Sequence, residues 1–245
     1  MALSLSLTPV SPASFTESTL TDLFALSLDL INTLPSRTSP PPAPSTRISW
    51  SPGKSDAETK LWKATVEKEP WIARVTDVAD IAYDELRRRL VTEKSATEKA
   101  ALLGEKDEIE IVSQKLTFGE MTTYDVHKLL HIQAFSAREF LEAIICKEFP
   151  EQDGQKKQCV IVSLPREGQI KDASHAHGVY VSVDVIRDLG DGKSEVIMAC
   201  CSDARGNIPR WVQNMAMAAQ ILADGQKFFK YMRGHPQAKE NGSSA

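Results

Sequence analysis

Between residues 138 and 203 four strand-length runs follow one another almost without interruption, and this succession limits the possible folds more than any other feature. The runs are "REFLEAIICKEF", "QCVIVSLPRE", "HGVYVSVDVIRDL" and "SEVIMACCSDA", joined by the polar, turn-forming stretches "PEQDGQKK", "EGQIKDASHA" and "GDGK". Connections this short leave no room for crossover helices, so the runs predict an antiparallel meander. After them, "GNIP" leads into a long helix from Pro209 to about Met232, with proline at the first helical position as its start signal. A sheet and a helix of this length must bury their apolar faces on each other, which predicts an α+β, two-layer arrangement.

Upstream, Ser14 and Glu17 have the spacing of a capping box, and Leu20, Leu23, Phe24, Leu30, Ile31 and Leu34 recur at helical intervals. A helix over about residues 15–34 follows. Next comes "PSRTSPPPAPST", residues 35–46, whose prolines remove hydrogen-bond donors and fix φ, so it reads as an extended strap. The run "TKLWKATVEKEPWIARVTDV" predicts two short strands about Pro70, and "ADIAYDELRRRL" predicts a helix, with Ser95 and Glu98 capping a further helical piece. Residues 104–133 fit a strand or a helix equally well. The organisation expected is an N-terminal helix with its strap (1–46), a main domain (47–235) and a frayed tail (236–245).

Composition excludes several functions. The 245 residues are 42% hydrophobic and 25% charged, which is enough for a substantial core. A net charge of -4 supplies no basic face for nucleic acid. Cys146, Cys159, Cys200 and Cys201 form no CxxC pair, and vicinal cysteines on a strand point to opposite faces, so reduced, buried thiols in a cytoplasmic protein are expected. The opening "MALSLSLTPVSPASF" has no uninterrupted apolar segment, and no later run approaches the roughly 20 apolar residues of a membrane span.

Taken together, "SAREFLEAI", "CVIVSLPRE", "HGVYVSVDVI" and above all "SDARGNIPRWVQN" resemble the START (StAR-related lipid transfer) domain of the Bet v1-like helix-grip superfamily. "WIARVTDV" and "IMACCSDARGNIPRWVQ" are closer still to a fungal START-like family of unassigned function, and the resemblance spans roughly residues 60–233. It implies a helix-grip fold: a curved antiparallel sheet around a long C-terminal helix, enclosing a hydrophobic cavity for a lipid, sterol-like or polyketide-like molecule. It also raises a role in fungal secondary metabolism. The chain departs from that fungal pattern at Thr76 and Val78, where the family has Ser and His, and at Arg205, where it has Gly. Ile144 stands where some steroid binders keep a buried arginine, so their charged pair for a sterol hydroxyl does not carry over.

With a sheet wet outside and apolar inside, Val179, Val181, Val183 and Val185 would face the cavity, and Asp184 the solvent. Phe140, Glu142, Ile144 and Cys146 share a face that the resemblance places inward. Glu142 would then be a desolvated carboxylate of raised pKa, whereas a register slip of one residue would send it to solvent. On the last helix Val212, Met215, Ala219 and Leu222 form a stripe of small and flexible side chains suited to varied ligands, with Trp211 near the tunnel mouth and Met198 on the last strand among the lining residues. Two functional readings follow. One is a binder or carrier of a hydrophobic small molecule, monomeric or dimeric, with transient membrane contact. The other is a cofactor-independent polyketide cyclase or dehydratase that uses Glu142 as acid with His131 or His177 as base. His127 and His131 lie four apart without an acidic third ligand, so no metal is expected, and no dinucleotide, phosphate-loop or nucleophile-elbow motif suggests a cofactor.

Overall fold

The computed structural model describes residues 2–35, 48–132, 135–152 and 155–235. The proline strap and the C-terminal tail therefore fall almost wholly outside the described residues. The first helix, α1 (Glu17–Asn32), is capped two residues later than the Ser14 and Glu17 spacing predicts. The Thr19 N–H donates to Thr16 Oγ1 at 3.2 Å while the Thr16 N–H donates to Thr19 Oγ1 at 3.0 Å. Two threonines thus satisfy each other's amides as Ser and Glu do in the commoner box. Ser14 instead ends a short 3-10 turn, bonding the Ser11 carbonyl.

The sheet begins with β1 (Ser51–Pro52), β2 (Thr59–Val66) and β3 (Glu69–Val78), the last two joined at Glu67 and Lys68, both with positive φ. Then follow α2 (Tyr83–Arg87), a π turn (Arg88–Thr92) and α3 (Lys94–Ala101). Ser95 lies inside α3 and not at its cap, because Glu98 is drawn to lysines instead. The undecided region resolves into strands: β4 (Glu108–Ile111), β5 (Leu116–Phe118) and β6 (Met121–Leu130). The expected meander is present as β7 (Arg138–Phe149), β8 (Gln158–Pro165), β9 (Ala176–Gly190) and β10 (Lys193–Asp203), followed by α4 (Arg210–Gly234). The strand order is β1-β2-β3-β10-β9-β8-β7-β6-β4, with β5 also on β6. Among the described residues no helix is long and apolar enough to cross a membrane.

Both faces of this sheet are covered, and that inverts part of the expected pattern. Val181, Val183 and Val185 share one buried cluster with Val160, Val162 and the α1 residues Leu20, Leu23, Phe24 and Ile31. These valines therefore pack outward beneath α1 and do not line the interior. The alternate residues of the same strands, including Tyr180, Ser182 and Asp184, face α4. A helix on the outside of the sheet needs an apolar surface to bury against, so the more apolar parity goes to α1. Arg187 of β9 reinforces that docking, donating to Asn32 Oδ1 of α1 at 3.3 Å.

The inward stripe of α4 is also rotated from the one expected. Ile221, Leu222, Gly225, Phe228, Phe229 and Met232 are buried, whereas Met215 is 72% and Trp211 66% exposed, and Ala219 faces solvent too. Val212 is only half-buried. The first half of this helix has so few charges that its polar side is not marked, which leaves the phase of an apolar stripe undetermined.

Candidate functional site

Strand register assembles the face beneath α4. One row runs Arg74, Met198, Asp184, Ile161 and Cys146 across β3, β10, β9, β8 and β7. The adjacent row runs Ile72, Cys200, Ser182, Ser163, Ile144 and Tyr124. Beyond these, Glu142 pairs with Val126 and Phe140 with Lys128, while Ser202 pairs with Tyr180. Apolar side chains close one end of this face, where Ile144, Cys146, Ile161 and Ile186 meet Phe228, Phe229 and Met232. Ile72, Cys200, Ile221 and Leu222 cover another part.

The middle is less completely sealed. Tyr180, Asp184, Lys128 and Met198 lie deep beneath the helix layer yet remain only partly buried, while Val181, Val183, Val185 and Ala199 beside them are sealed. Enclosed surface that a water-sized sphere still reaches marks a space that side chains leave open. Phe140, Ile144, Met198 and Leu222, all expected to line the site, do belong to this concave side, Phe140, Ile144 and Leu222 as buried residues.

The polar part of the space is a chain of charges. Lys94 Nζ of α3 lies 2.5 Å from Glu98, Lys128 Nζ reaches the same carboxylate at 3.1 Å, and Lys128 also pairs with Glu142 at 3.2 Å. Lys128 additionally lies over the Tyr180 ring, 5.8 Å from its centroid. Burial alone would raise the Glu98 pKa, but Lys128 and Lys94 outweigh it and hold the carboxyl down at about 2. For Glu142 burial prevails over Lys128 and the pKa is raised. Asp184 is raised as well, by burial that Lys94, Arg74 and a hydrogen bond from Ser182 Oγ at 3.2 Å only partly offset. Between the π turn, α3 and the β4–β6 edge a pocket of about 410 Å³ opens, lined in part by Val91, Lys94, Ile111, Lys115 and Tyr124. Lys94 therefore connects the charge chain to the outside.

The expected acid and bases are not brought together. Glu142 is 2% exposed on the concave side. His177, however, stands in register with Glu139 and shares the opposite parity, and His131 follows the end of β6, its backbone N–H donating to Asp107 Oδ1 at 2.7 Å. His127 is on a strand, not a helix. It contacts Glu139 at 2.6 Å, and that carboxylate also accepts from His175 and from the Lys171 and Asp172 amides. Those bonds outweigh burial and hold Glu139 at about 2, fastening the β8–β9 connection to β7. Among the described residues no group of three or more His, Cys, Asp or Glu is arranged to hold a metal.

Sequence reasoning missed Arg74, Asp184, Lys94, Glu98 and Lys128. The available signal was a charged residue interrupting an otherwise apolar parity, as Arg74 does between Ile72 and Val78 and Lys128 after Tyr124 and Val126.

Comparison with known proteins agrees with this architecture. The profile of a family described as "Protein of unknown function (DUF3074)" matches residues 71–232. No curated protein matches the sequence. Among solved structures, human StAR-related lipid transfer protein 5 superposes with a TM-score of 0.63 at 11% identity, covering 89% of this chain and 98% of that one. The human StarD13 (DLC2) lipid transfer and protein localization domain gives 0.55 at 19% identity, covering 78% and 91%. A STAR-related lipid transfer protein from Xanthomonas axonopodis gives 0.58 at 12% identity, covering 75% and 98%. At these identities the likeness is one of fold: the chain has the helix-grip architecture of START domains.

Proposed function

The chain belongs to the DUF3074 family, and from that premise and its START fold we propose that it binds one largely apolar small molecule between the concave face of the sheet and α4. The observation that carries this reading is that Tyr180, Met198 and Asp184 keep accessible surface at the centre of that face, beneath the helix. A domain of this size that leaves such a space sacrifices packing contacts of its own, and a ligand restores them. The names of the solved neighbours, lipid transfer proteins, point the same way.

Binding without turnover fits the geometry better than cyclisation. Burial raises the Glu142 pKa, but Lys128 is its charged neighbour, His177 lies on the opposite side of the sheet, and His131 lies beyond the end of β6 with its backbone bonded to Asp107. A sterol is disfavoured because Ile144 is fully buried and apolar at the position where, by the resemblance, some steroid-binding START domains keep an arginine.

The test is direct. Full-length protein purified from its natural host, denatured and extracted into organic solvent, is expected to release a stoichiometric apolar compound, and adding that compound back should raise Tm in a dose-dependent way. A protein that releases nothing, and whose Tm no single-chain or polycyclic lipid shifts, would end this reading.

A further inference from the structure

Three basic side chains reach the middle of the concave face, and two of them, Lys94 and Lys128, share Glu98. The third, Arg74, is 8% exposed and has no such partner. Its Nη1 donates to the Ile221 carbonyl of α4 at 3.0 Å, its Nε is sealed without a partner, and its Nη2 has no hydrogen-bond partner among the described residues. No described carboxylate lies within 4.0 Å of it, and Asp184 and Asp224 act only through longer-range attraction. On the other face of the same sheet the buried Arg187 shows the ordinary solution, bonding Glu195 at 3.1 Å and Gln158 at 3.1 Å.

Burying a guanidinium costs several kcal/mol unless an anion and hydrogen bonds compensate it. The fold nevertheless makes room for this one. Gly225 of α4 lies above it, and a Cβ at that position would stand 2.5 Å from Nη1. The planar fork of arginine suits two oxygens of one acidic group. Around it are Ile72, Met198, Met217, Ile221 and Leu222, which form an apolar wall. Asp184 stands two strands away, roughly 9–10 Å by sheet spacing. Burial raises its pKa, which weakens its repulsion of an anion held at Arg74.

We propose that the ligand is a single-chain amphiphile whose acidic head, a carboxylate or a phosphate monoester, pairs with Arg74 while its tail lies along Met198, Met217 and Leu222. This rests on the cavity reading above and adds the charge of the ligand to it.

The experiment titrates the full chain with dodecanoate, dodecyl phosphate and 1-dodecanol by isothermal calorimetry, in the wild type and in Arg74→Gln and Arg74→Lys. At least one acid is expected to bind about 10- to 100-fold more tightly than the alcohol, the advantage of a charge-assisted hydrogen bond. Arg74→Gln should remove that preference and Arg74→Lys should keep part of it. Which acid wins identifies the head group. If the alcohol binds the wild type as well as both acids do, or if Arg74→Gln keeps the full preference, the proposal is overturned while the cavity reading stands. Binding of none of the three would overturn the proposal for this ligand class; the reading of a cavity then stands or falls separately on the host extract. The wild-type comparison decides even if the variants fail to fold.

Discussion

Gly225 of α4 lies directly over Arg74 of β3, so close that a methyl group on the glycine would meet the guanidinium at 2.5 Å. Alanine is the better helix residue by about 1 kcal/mol, yet overpacking costs about 1–3 kcal/mol. Gly225→Ala is therefore expected to destabilise the protein by about 1 kcal/mol, lowering Tm by about 2–4 °C. In an Arg74→Met background the same change should stabilise instead. A double-mutant cycle in urea measures this, and simple additivity of the two substitutions would show that the contact carries no energy.

Glu98 lies between Lys94 at 2.5 Å and Lys128 at 3.1 Å, and its pKa in the folded protein is about 2. A carboxyl lowered from 4.5 on folding contributes stability that is complete above pH 4.5 and lost as pH falls toward 2. Glu139, also held at about 2, acts in the same window. Denaturant midpoints should thus drop steeply across it. Glu98→Gln should flatten part of that slope and cost about 3 kcal/mol at neutral pH by leaving the buried Lys94 and the partly buried Lys128 without their shared anion. An unchanged slope would mean that the pair is not felt in folding.

Asp184 has the opposite sign. Its pKa is raised by burial, so its ionisation above the unfolded value costs stability, and that cost disappears as pH falls through the unfolded value. Asp184→Asn keeps a partner for Ser182 and is expected to stabilise the ligand-free protein by about 1 kcal/mol at pH 7, with no gain at pH of about 3. Loss of stability at neutral pH would indicate that Asp184 is satisfied as an anion.

The β2–β3 turn offers a test away from the cavity. Glu67 and Lys68 have φ of 50° and 70°, a left-handed pair that suits an Asn-Gly dipeptide far better than two long side chains. The double substitution Glu67→Asn with Lys68→Gly should raise stability by about 1 kcal/mol without affecting ligand affinity. Calorimetric Tm and the titration above check both halves of that statement.

The meander and the long helix are legible in the sequence because their periods are strict and their connections short. The two capping boxes, read at Ser14 with Glu17 and at Ser95 with Glu98, are not, since neither spacing caps a helix: Thr16 and Thr19 cap α1 while Ser14 ends a 3-10 turn, and Glu98 is held by lysines. The facing of β9 is misread for a physical reason. Alternation separates two sets of residues but does not say which set meets solvent, and here neither does, because α1 covers the valines. His131 and His177 look equivalent in sequence, yet His177 is separated from Glu142 by the register of β7 and β9, and His131 by lying past the end of β6. Arg74 and Lys128, distant in sequence, come to one face of the sheet through strand pairing that no local pattern encodes.

The covering of the sheet on both sides gives each strand of the meander two separate jobs on alternate residues. Substitutions among Val160, Val162, Val181 and Val183 act on how firmly the scaffold holds α1, while those at Arg74, Tyr180, Asp184 and Met198 act on the face beneath α4 where we propose that a ligand binds. Specificity in such a protein can drift, or be redesigned, by changing every second residue, with the odd-numbered ones of β9 left to keep the architecture intact.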